Sequence, residues 1–290
     1  REQTIRAVLC SGRRQRQLYL GGVKQKSAAA LPGVLTTVLF CPEDLLVLKG
    51  GSLPRRKLID NALCQLRPGY ASALLEYGKL LDSKTRILKD YHEKPDLLGP
   101  LPEYNYRLAQ VGAILIAHRA RYLEALGAAA SEYHHAFSAG KENLSLQYHT
   151  VSTVTDPFAE KQTIFERILE HQESHYRAEL ESGQCLTGPH KDDFDALLGD
   201  IPIKAYGSQG QTRTAAISLK LAERELLRRD TGEEPVLLLD DVLSELDPAR
   251  QDFVLNQITS GQVLITCCEL GRFTQIGKTI TISHGGVVCT

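Results

Sequence analysis

Residues 236–247 read VLLLDDVLSELD, an apolar run that ends in two acidic residues and continues into a turn. A continuous apolar run of this kind predicts a β-strand that is buried on both faces of a parallel sheet. Asp240 and Asp241 then stand at the carboxyl end of the strand, the usual ligand-binding edge of an open α/β sheet. A carboxylate there suits Mg²⁺, which prefers oxygen ligands. The alternative is an acidic pair that merely terminates a strand.

The residues that follow predict a turn and then a helix. Asp247 is a plausible N-cap, and Pro248 suits the first position of the helix. A second motif lies upstream, where residues 206–223 read YGSQGQTRTAAISLKLAE. Ser208 is a good N-cap and Gly210 lets the backbone approach a ligand closely. The exposed N–H groups of a helix start favour an anion such as a terminal phosphate, and plain capping without a ligand is the alternative.

The pattern of apolar residues changes twice along the chain. Residues 1–48 alternate as short strands do, and QVLITCC, residues 262–268, predicts another buried strand. Between them, apolar residues recur every seven positions and predict two long helices in a hairpin: Leu74, Leu81 and Leu88, then Leu108, Leu115, Tyr122 and Ala129. A third predicted helix, from Pro157 to Glu181, has one apolar face: Phe158, Phe165, Leu169, Tyr176 and Leu180. FDALLGDIPIKAY, residues 194–206, predicts a β-hairpin around Gly199.

These changes predict an α/β fold in which a sheet lobe is interrupted by a helical, coiled-coil-like arm. The lobe comprises residues 1–50 and 183–290, and the arm comprises residues 51–182. Hydrophobic residues make up 42% and charged residues 24%, which excludes a disordered or fibrous chain. No run approaches the about 18 apolar residues of a membrane span, so we expect a cytoplasmic protein. The seven scattered cysteines form no CxxC pair, which argues against a zinc site.

The net charge of −1 indicates nothing about nucleic acid, so any DNA contact depends on a local basic patch. The candidates for phosphate contacts with DNA lie in the turn SGRRQR, residues 11–16, and shortly after it: Arg13, Arg14, Arg16, Lys24 and Lys26. A solvated basic turn is the alternative, because no aromatic residues are interleaved as they are in single-strand binding surfaces.

The two motifs together resemble those of the RecF family, bacterial DNA-repair ATPases of the ABC/SMC class. TGPHKDDF, residues 187–194, and LFCPEDL, residues 39–45, fit the same family, and the resemblance spans essentially the whole chain. It implies an ABC-type ATPase lobe that binds ATP and Mg²⁺. The implied metal ligand is Asp240, and the implied catalytic carboxylate is Asp241. The implied nucleotide-binding residues are Ser208, Gln209, Gly210 and Gln211 of the signature motif, Asp247 of the D-loop, and Thr266, which stands where a switch histidine is expected.

The resemblance also implies that two copies dimerise around two ATP molecules, each signature motif meeting the γ-phosphate held by the partner. Implied partners are double-stranded and gapped DNA and the proteins RecR and RecO, with RecA loading as the outcome in repair and the SOS response. Asp241, in place of the usual glutamate, and Thr266 imply slow hydrolysis. A phosphate loop of the form GxxxxGK[ST] is not found in the 290 residues. We expect it upstream, and we expect this chain alone to be inactive. The alternatives are an SMC-like structural DNA clamp with a vestigial ATP site and a transporter nucleotide-binding subunit.

Overall fold

The structure is a computed structural model that describes residues 4–9, 17–25, 33–258, 260–268, 277–283 and 286–288. The strands are β1 (Ile5–Val8), β2 (Gln17–Leu20), β3 (Val23–Gln25), β4 (Thr37–Phe40), β5 (Leu144–His149), β6 (Asp193–Leu198), β7 (Ile201–Pro202), β8 (Val236–Asp240), β9 (Val263–Thr266), β10 (Thr281–Ser283) and β11 (Gly286–Val288). The helices are α1 (Leu45–Lys49), α2 (Ser52–Leu66), α3 (Pro68–Asp90), α4 (Leu101–Phe137), α5 (Lys161–Ser182), α6 (Ile203–Tyr206), α7 (Gln209–Thr231) and α8 (Pro248–Asn256). No helix in the described ranges combines the length and apolar character that crossing a membrane requires.

The predicted buried strands form a parallel sheet in the order β4-β8-β9. Alternate residues of β4 and β8 are buried, among them Val38, Leu237 and Leu239, and they join one hydrophobic core with apolar residues of α7. Since parallel strands end at one edge of a sheet, the residues that follow β8 and β9 are brought together. This confirms the predicted strands and the mixed α/β architecture. The predicted burial on both faces is wrong, because only alternate residues of β8 are buried and Leu264 of β9 is 51% exposed.

The helical hairpin of the arm is confirmed as α3 and α4. Near the loop, Leu88 and Leu101 share one small core, and farther along Arg107 of α4 pairs with Glu76 of α3. These contacts run in opposite directions along the two helices, so the helices are antiparallel. The predicted series from Leu108 to Ala129 is buried at all four positions.

The predicted apolar face of the third helix is wrong in part. Helix α5 begins only at Lys161, so Phe158 precedes it and is 46% exposed, and Tyr176 is 39% exposed. The buried face instead consists of Ile164, Phe165, Ile168, Gln172 and Glu179. Glu179 lies on that face because its carboxylate forms a buried ion pair with Lys84 of α3, at 2.6 Å. Apolar spacing alone therefore misplaces the buried face of α5, since it includes a residue before the helix and omits two buried polar residues.

A strand inside the arm segment was not predicted. Strand β5 pairs antiparallel with β6, whose hairpin with β7 was predicted, and the three form one sheet. Residues 51–182 are therefore not helical throughout. Backbone hydrogen bonds between β5 and β6 therefore connect the arm segment to the last third of the chain.

A network of buried ion pairs and hydrogen bonds also connects the arm to the loop before β6. Arg119 of α4 is 2% exposed, and its guanidinium donates to Asp192 at 2.7 Å, to Asp60 at 3.0 Å and to the Pro189 carbonyl at 2.6 Å. Tyr148 also donates to Asp192, at 2.5 Å. Burial raises the pKa of the Asp192 carboxyl against the opposing charge of Arg119. The charged form of the Asp192 carboxyl is therefore stabilised by the groups that donate hydrogen bonds to it.

Arg119→Ala should lower the free energy of unfolding by about 3–5 kcal/mol, because it leaves the buried Asp192 without its charge partner. Denaturant unfolding measures the loss. The matched control is Arg121→Ala, which removes an exposed arginine from the same helix and should cost less than about 0.5 kcal/mol. Equal losses in the two variants would contradict a stabilising role for the network.

Candidate nucleotide-binding site

The carboxylates after β8 meet the end of β9. Asp240 and Thr266 are register partners in the parallel pair, and the Thr266 hydroxyl donates to Asp240 Oδ1 at 2.6 Å. The backbone N–H of Asp241 donates in turn to Thr266 Oγ1 at 3.0 Å. The structure therefore brings together three of the residues predicted for the site, and Thr266 bridges the two aspartates.

Asp241 is held in an unusual backbone conformation. Its φ of +52° lies in the left-handed region, which aspartate tolerates better than most residues that carry a side chain. Ser244 follows three residues later, and its hydroxyl lies 2.8 Å from Asp241 Oδ1 and 2.6 Å from the Asp241 carbonyl oxygen. The turn and the serine together fix the direction of the Asp241 carboxylate.

The donor set at this edge fits magnesium. Asp240 is exposed at the strand end, and Thr266 engages only one of its two oxygens. In the described part of the chain, no group of three or more His, Cys, Asp or Glu side chains is arranged to hold a metal ion. Mg²⁺ is commonly held by one or two carboxylates, with waters and substrate phosphates completing its shell, so the sparse set suits this ion.

The start of α7 is a complete capping box. The Ser208 hydroxyl accepts from the backbone N–H of Gln211 at 3.2 Å, and Gln211 Oε1 accepts from the N–H of Ser208 at 2.9 Å. The first backbone bond of the helix runs from Thr212 to the Ser208 carbonyl. The N–H groups of Gln209 and Gly210 therefore precede the helical ladder. This confirms Ser208 as an N-cap and leaves an end suited to an anion.

An arginine from the next motif crosses this helix start. Arg250 Nε donates to Thr214 Oγ1 at 2.9 Å, and Arg250 Nη2 lies 3.2 Å from the position that a Cβ on Gly210 would take. The guanidinium also pairs with Asp247, which caps α8 by accepting from the Arg250 N–H at 3.1 Å. The N–H and guanidinium of Arg250 lower the pKa of the Asp247 carboxyl. Glycine at 210 thus leaves room for an arginine that ties the two motifs together.

An open groove of about 520 Å³ lies beside the helix start. Ser208, Gly210 and Gln211 line one side of it, and Arg250 contributes a cation. The residues after α4 add Lys141 and Glu142. The groove is wide enough for a phosphate group, and its lining includes two cations.

The predicted site residues thus fall into two groups. Asp240, Asp241 and Thr266 share the edge of the parallel sheet. Ser208, Gly210 and Gln211 line the groove, Gln209 is the first residue of α7, and Asp247 is linked to the groove through its ion pair with Arg250. Their roles toward a nucleotide stay predictions. Of the basic residues predicted to contact DNA, Lys24 is exposed on β3. The others lie outside the described residues: Arg13, Arg14, Arg16 and Lys26.

Several residues of the groove were not predicted from the sequence, among them Arg250 and Glu142. Arg250 stands three positions after the N-cap Asp247, so its place in the first turn of α8 was available as a signal. Glu142 carried no such signal, because it reaches Gln211 from 69 positions away.

The chain is similar to several proteins named DNA replication and repair protein RecF. It is 38% identical over 266 residues to that of Agathobacter rectalis, covering 90% of this chain and 70% of the relative. It is 35% identical over 260 residues to that of Acetivibrio thermocellus, with the same coverages. No family model matches the chain.

Two solved structures of the recombination mediator protein RecF of the RecFOR pathway share the fold. The RecF-ATPrS structure superimposes with a TM-score of 0.88 at 31% identity, covering 98% of this chain and 76% of that one. The RecF-ATP structure gives a TM-score of 0.82 at 34% identity, covering 89% and 68%.

Proposed function

The chain belongs to the RecF family, and from this premise we propose that it is the greater part of an ATP-gated, DNA-binding recombination mediator. Two copies close around two ATP molecules, and the closed dimer acts on double-stranded DNA at gaps. There it works with RecR and RecO to help load RecA. The RecF-ATP and RecF-ATPrS structures support ATP as the nucleotide.

The observation that carries the proposal is the start of α7. Ser208, whose hydroxyl is exposed, and Gly210 line a groove that also receives Arg250, and the N–H groups of Gln209 and Gly210 precede the hydrogen-bond ladder of α7. A helix N-terminus with a nearby cation binds phosphate well, because the helix dipole and the unpaired N–H groups both favour negative charge. Under the proposal, the terminal phosphate that enters this groove belongs to the ATP held by the other copy.

The strand-end carboxylates act on the nucleotide of their own copy. Asp240 would hold Mg²⁺, which neutralises phosphate charge when it is bound. Asp241 orients and polarises the attacking water, and Ser244 keeps its carboxylate in place. Thr266 stands where a switch histidine is expected, and its hydroxyl donates to Asp240. A hydroxyl does not accept a proton from the attacking water as an imidazole does, which supports slow hydrolysis. No phosphate loop of the form GxxxxGK[ST] occurs in the 290 residues, and the chain spans 70% of the length of the two relatives described above.

The proposed function is tested by DNA binding. Full-length protein should bind a gapped duplex more tightly with ATP than with ADP, and its affinity should fall with salt. Replacing Arg13, Arg14 and Arg16 by Ala should reduce the slope of log affinity against log salt by about 3, roughly 0.9 for each lost phosphate contact. Fluorescence anisotropy at several salt concentrations measures both.

The matched control replaces Arg228 and Arg229, two exposed arginines at the end of α7, by Ala. It should leave the salt slope within error of the wild type. An arginine variant with unchanged affinity and slope means that the basic turn is only solvated surface. Equal DNA binding with ATP and ADP contradicts nucleotide gating itself.

A further inference from the structure

Glu142 lies in the turn that joins the long arm helix α4 to β5, and it contacts both α4 and α7. Its Oε1 accepts from Gln211 Nε2 at 2.8 Å. Its Oε2 lies 2.9 Å from Nε2 of His134, a fully buried residue of α4. The hydrogen bond from Gln211 is the main reason that the pKa of the Glu142 carboxyl lies below its ordinary value. A glutamate of ordinary acidity is already ionised at neutral pH, so Glu142 carries a negative charge there.

An ionised carboxylate can only accept hydrogen bonds, and this restricts the side chain of Gln211. The amide of glutamine turns easily about its last torsion, so either its oxygen or its nitrogen can face a given neighbour. Because Glu142 accepts only, the Gln211 nitrogen must face it. The Gln211 oxygen then faces the N–H of Ser208, which it accepts at 2.9 Å. Glu142 thus reinforces the orientation that the Ser208 N–H also favours, the one that completes the capping box.

The same end of α4 also contacts the helix after the D-loop. The rings of Phe137 and Phe253 lie with centroids 3.6 Å apart, tilted by 34°. Phe253 belongs to α8, the helix that Asp247 caps and from which Arg250 reaches Gly210. The end of the arm helix therefore touches both helices that form the groove.

We infer that Glu142 is a positioning residue that holds the signature end of α7 ready for the partner's phosphate and makes its order depend on the arm helix α4. Glu142 supports the orientation of Gln211, Gln211 satisfies the N–H of Ser208, and the completed capping box keeps the first turn of α7 ordered beside the groove. The inference rests on the proposed function. The competing interpretation is that Glu142 is merely a packing contact at a turn.

The test is Glu142→Gln in the full-length protein. The substitution keeps the size of the side chain but gives it both a donor and an acceptor, so it no longer reinforces the orientation of Gln211. The ATP concentration for half-maximal dimerisation, measured by light scattering, should rise about fivefold, and about tenfold in Glu142→Ala. Nucleotide binding by the monomer and the melting temperature should stay unchanged in Glu142→Gln.

The matched control is Glu132→Gln, the same substitution at an exposed position of α4. It should dimerise as the wild type does. The inference is overturned if Glu142→Gln dimerises at the same ATP concentration as the wild type. It is also overturned if a higher ATP concentration is needed but the melting temperature falls as well, because the effect is then one of folding. Ser208→Arg in the same assay separates the two levels. If it dimerises normally with ATP, the proposed function fails; if it does not dimerise while Glu142→Gln behaves as wild type, only the role of Glu142 fails.

Discussion

Ser208→Arg should abolish ATP-dependent dimerisation of the full-length protein while leaving nucleotide binding by each monomer intact. The Ser208 hydroxyl caps α7 at the edge of the groove, where the N–H groups of Gln209 and Gly210 are free of the helical ladder. An arginine side chain there fills the space that the partner's phosphate needs and places a third cation beside Arg250 and Lys141. Losing the Ser208 hydroxyl as a cap lowers the free energy of unfolding by only about 1 kcal/mol, so the domain should stay folded.

Light scattering with and without ATP measures dimerisation, and calorimetry of the monomer measures nucleotide binding. Ser208→Ala is the matched variant, because it removes the cap without adding bulk. We expect it to weaken dimerisation by about tenfold, the effect of a cap and one hydrogen bond, and not to abolish it. Normal ATP-dependent dimerisation of Ser208→Arg would show that the groove does not receive the partner's nucleotide.

Asp241→Asn should have the opposite effect, a stable ATP-bound dimer that hydrolyses about 100-fold more slowly or worse. A neutral amide does not polarise the attacking water as a carboxylate does. The local structure should survive, because asparagine tolerates a φ of +52° and its amide oxygen still accepts from Ser244. Asp240, the proposed metal ligand, is unchanged.

Phosphate release under single-turnover conditions measures this step, and light scattering shows whether the dimer persists. The control is Asp200→Asn, the same substitution in the exposed turn between β6 and β7. This variant should hydrolyse ATP at the wild-type rate. Undiminished hydrolysis by Asp241→Asn would remove Asp241 from the chemical step.

The parts of the fold that the sequence predicts are those determined by short-range patterns. The apolar run of β8 and the cap of α7 are encoded within a few residues of themselves, and both were predicted. Strand β5 was missed although its six residues, LSLQYH, alternate between apolar and polar, because its partner β6 lies more than forty positions later and the residues on either side of β5 are predicted to be helical. The face of α5 was misjudged because the predicted helix begins four residues too early and because Glu179, a charged residue, is buried in an ion pair with Lys84.

The candidate site divides in the same way. Asp240, Ser208 and Asp247 stand in short motifs whose residue types already indicate their chemistry, so the sequence was sufficient to select them. The connections among the motifs were not predictable. Arg250 reaches Gly210 across two helices, and Glu142 reaches Gln211 only because the arm helix ends beside the groove. Such contacts depend on tertiary packing, which spacing along the chain does not contain.

The most direct test of a site shared between two copies is a mixture of Ser208→Arg with Asp240→Asn, each inactive alone. A mixed dimer has one intact site, which combines the Asp240 of the first variant with the Ser208 of the second and can hold the two copies together, and one site that contains both lesions. If each site is shared between two copies, ATP hydrolysis, absent from each variant by itself, should return when the two are mixed. If the two motifs served one nucleotide within a single copy, every site would carry a lesion, and a mixture as inactive as its components would contradict the account.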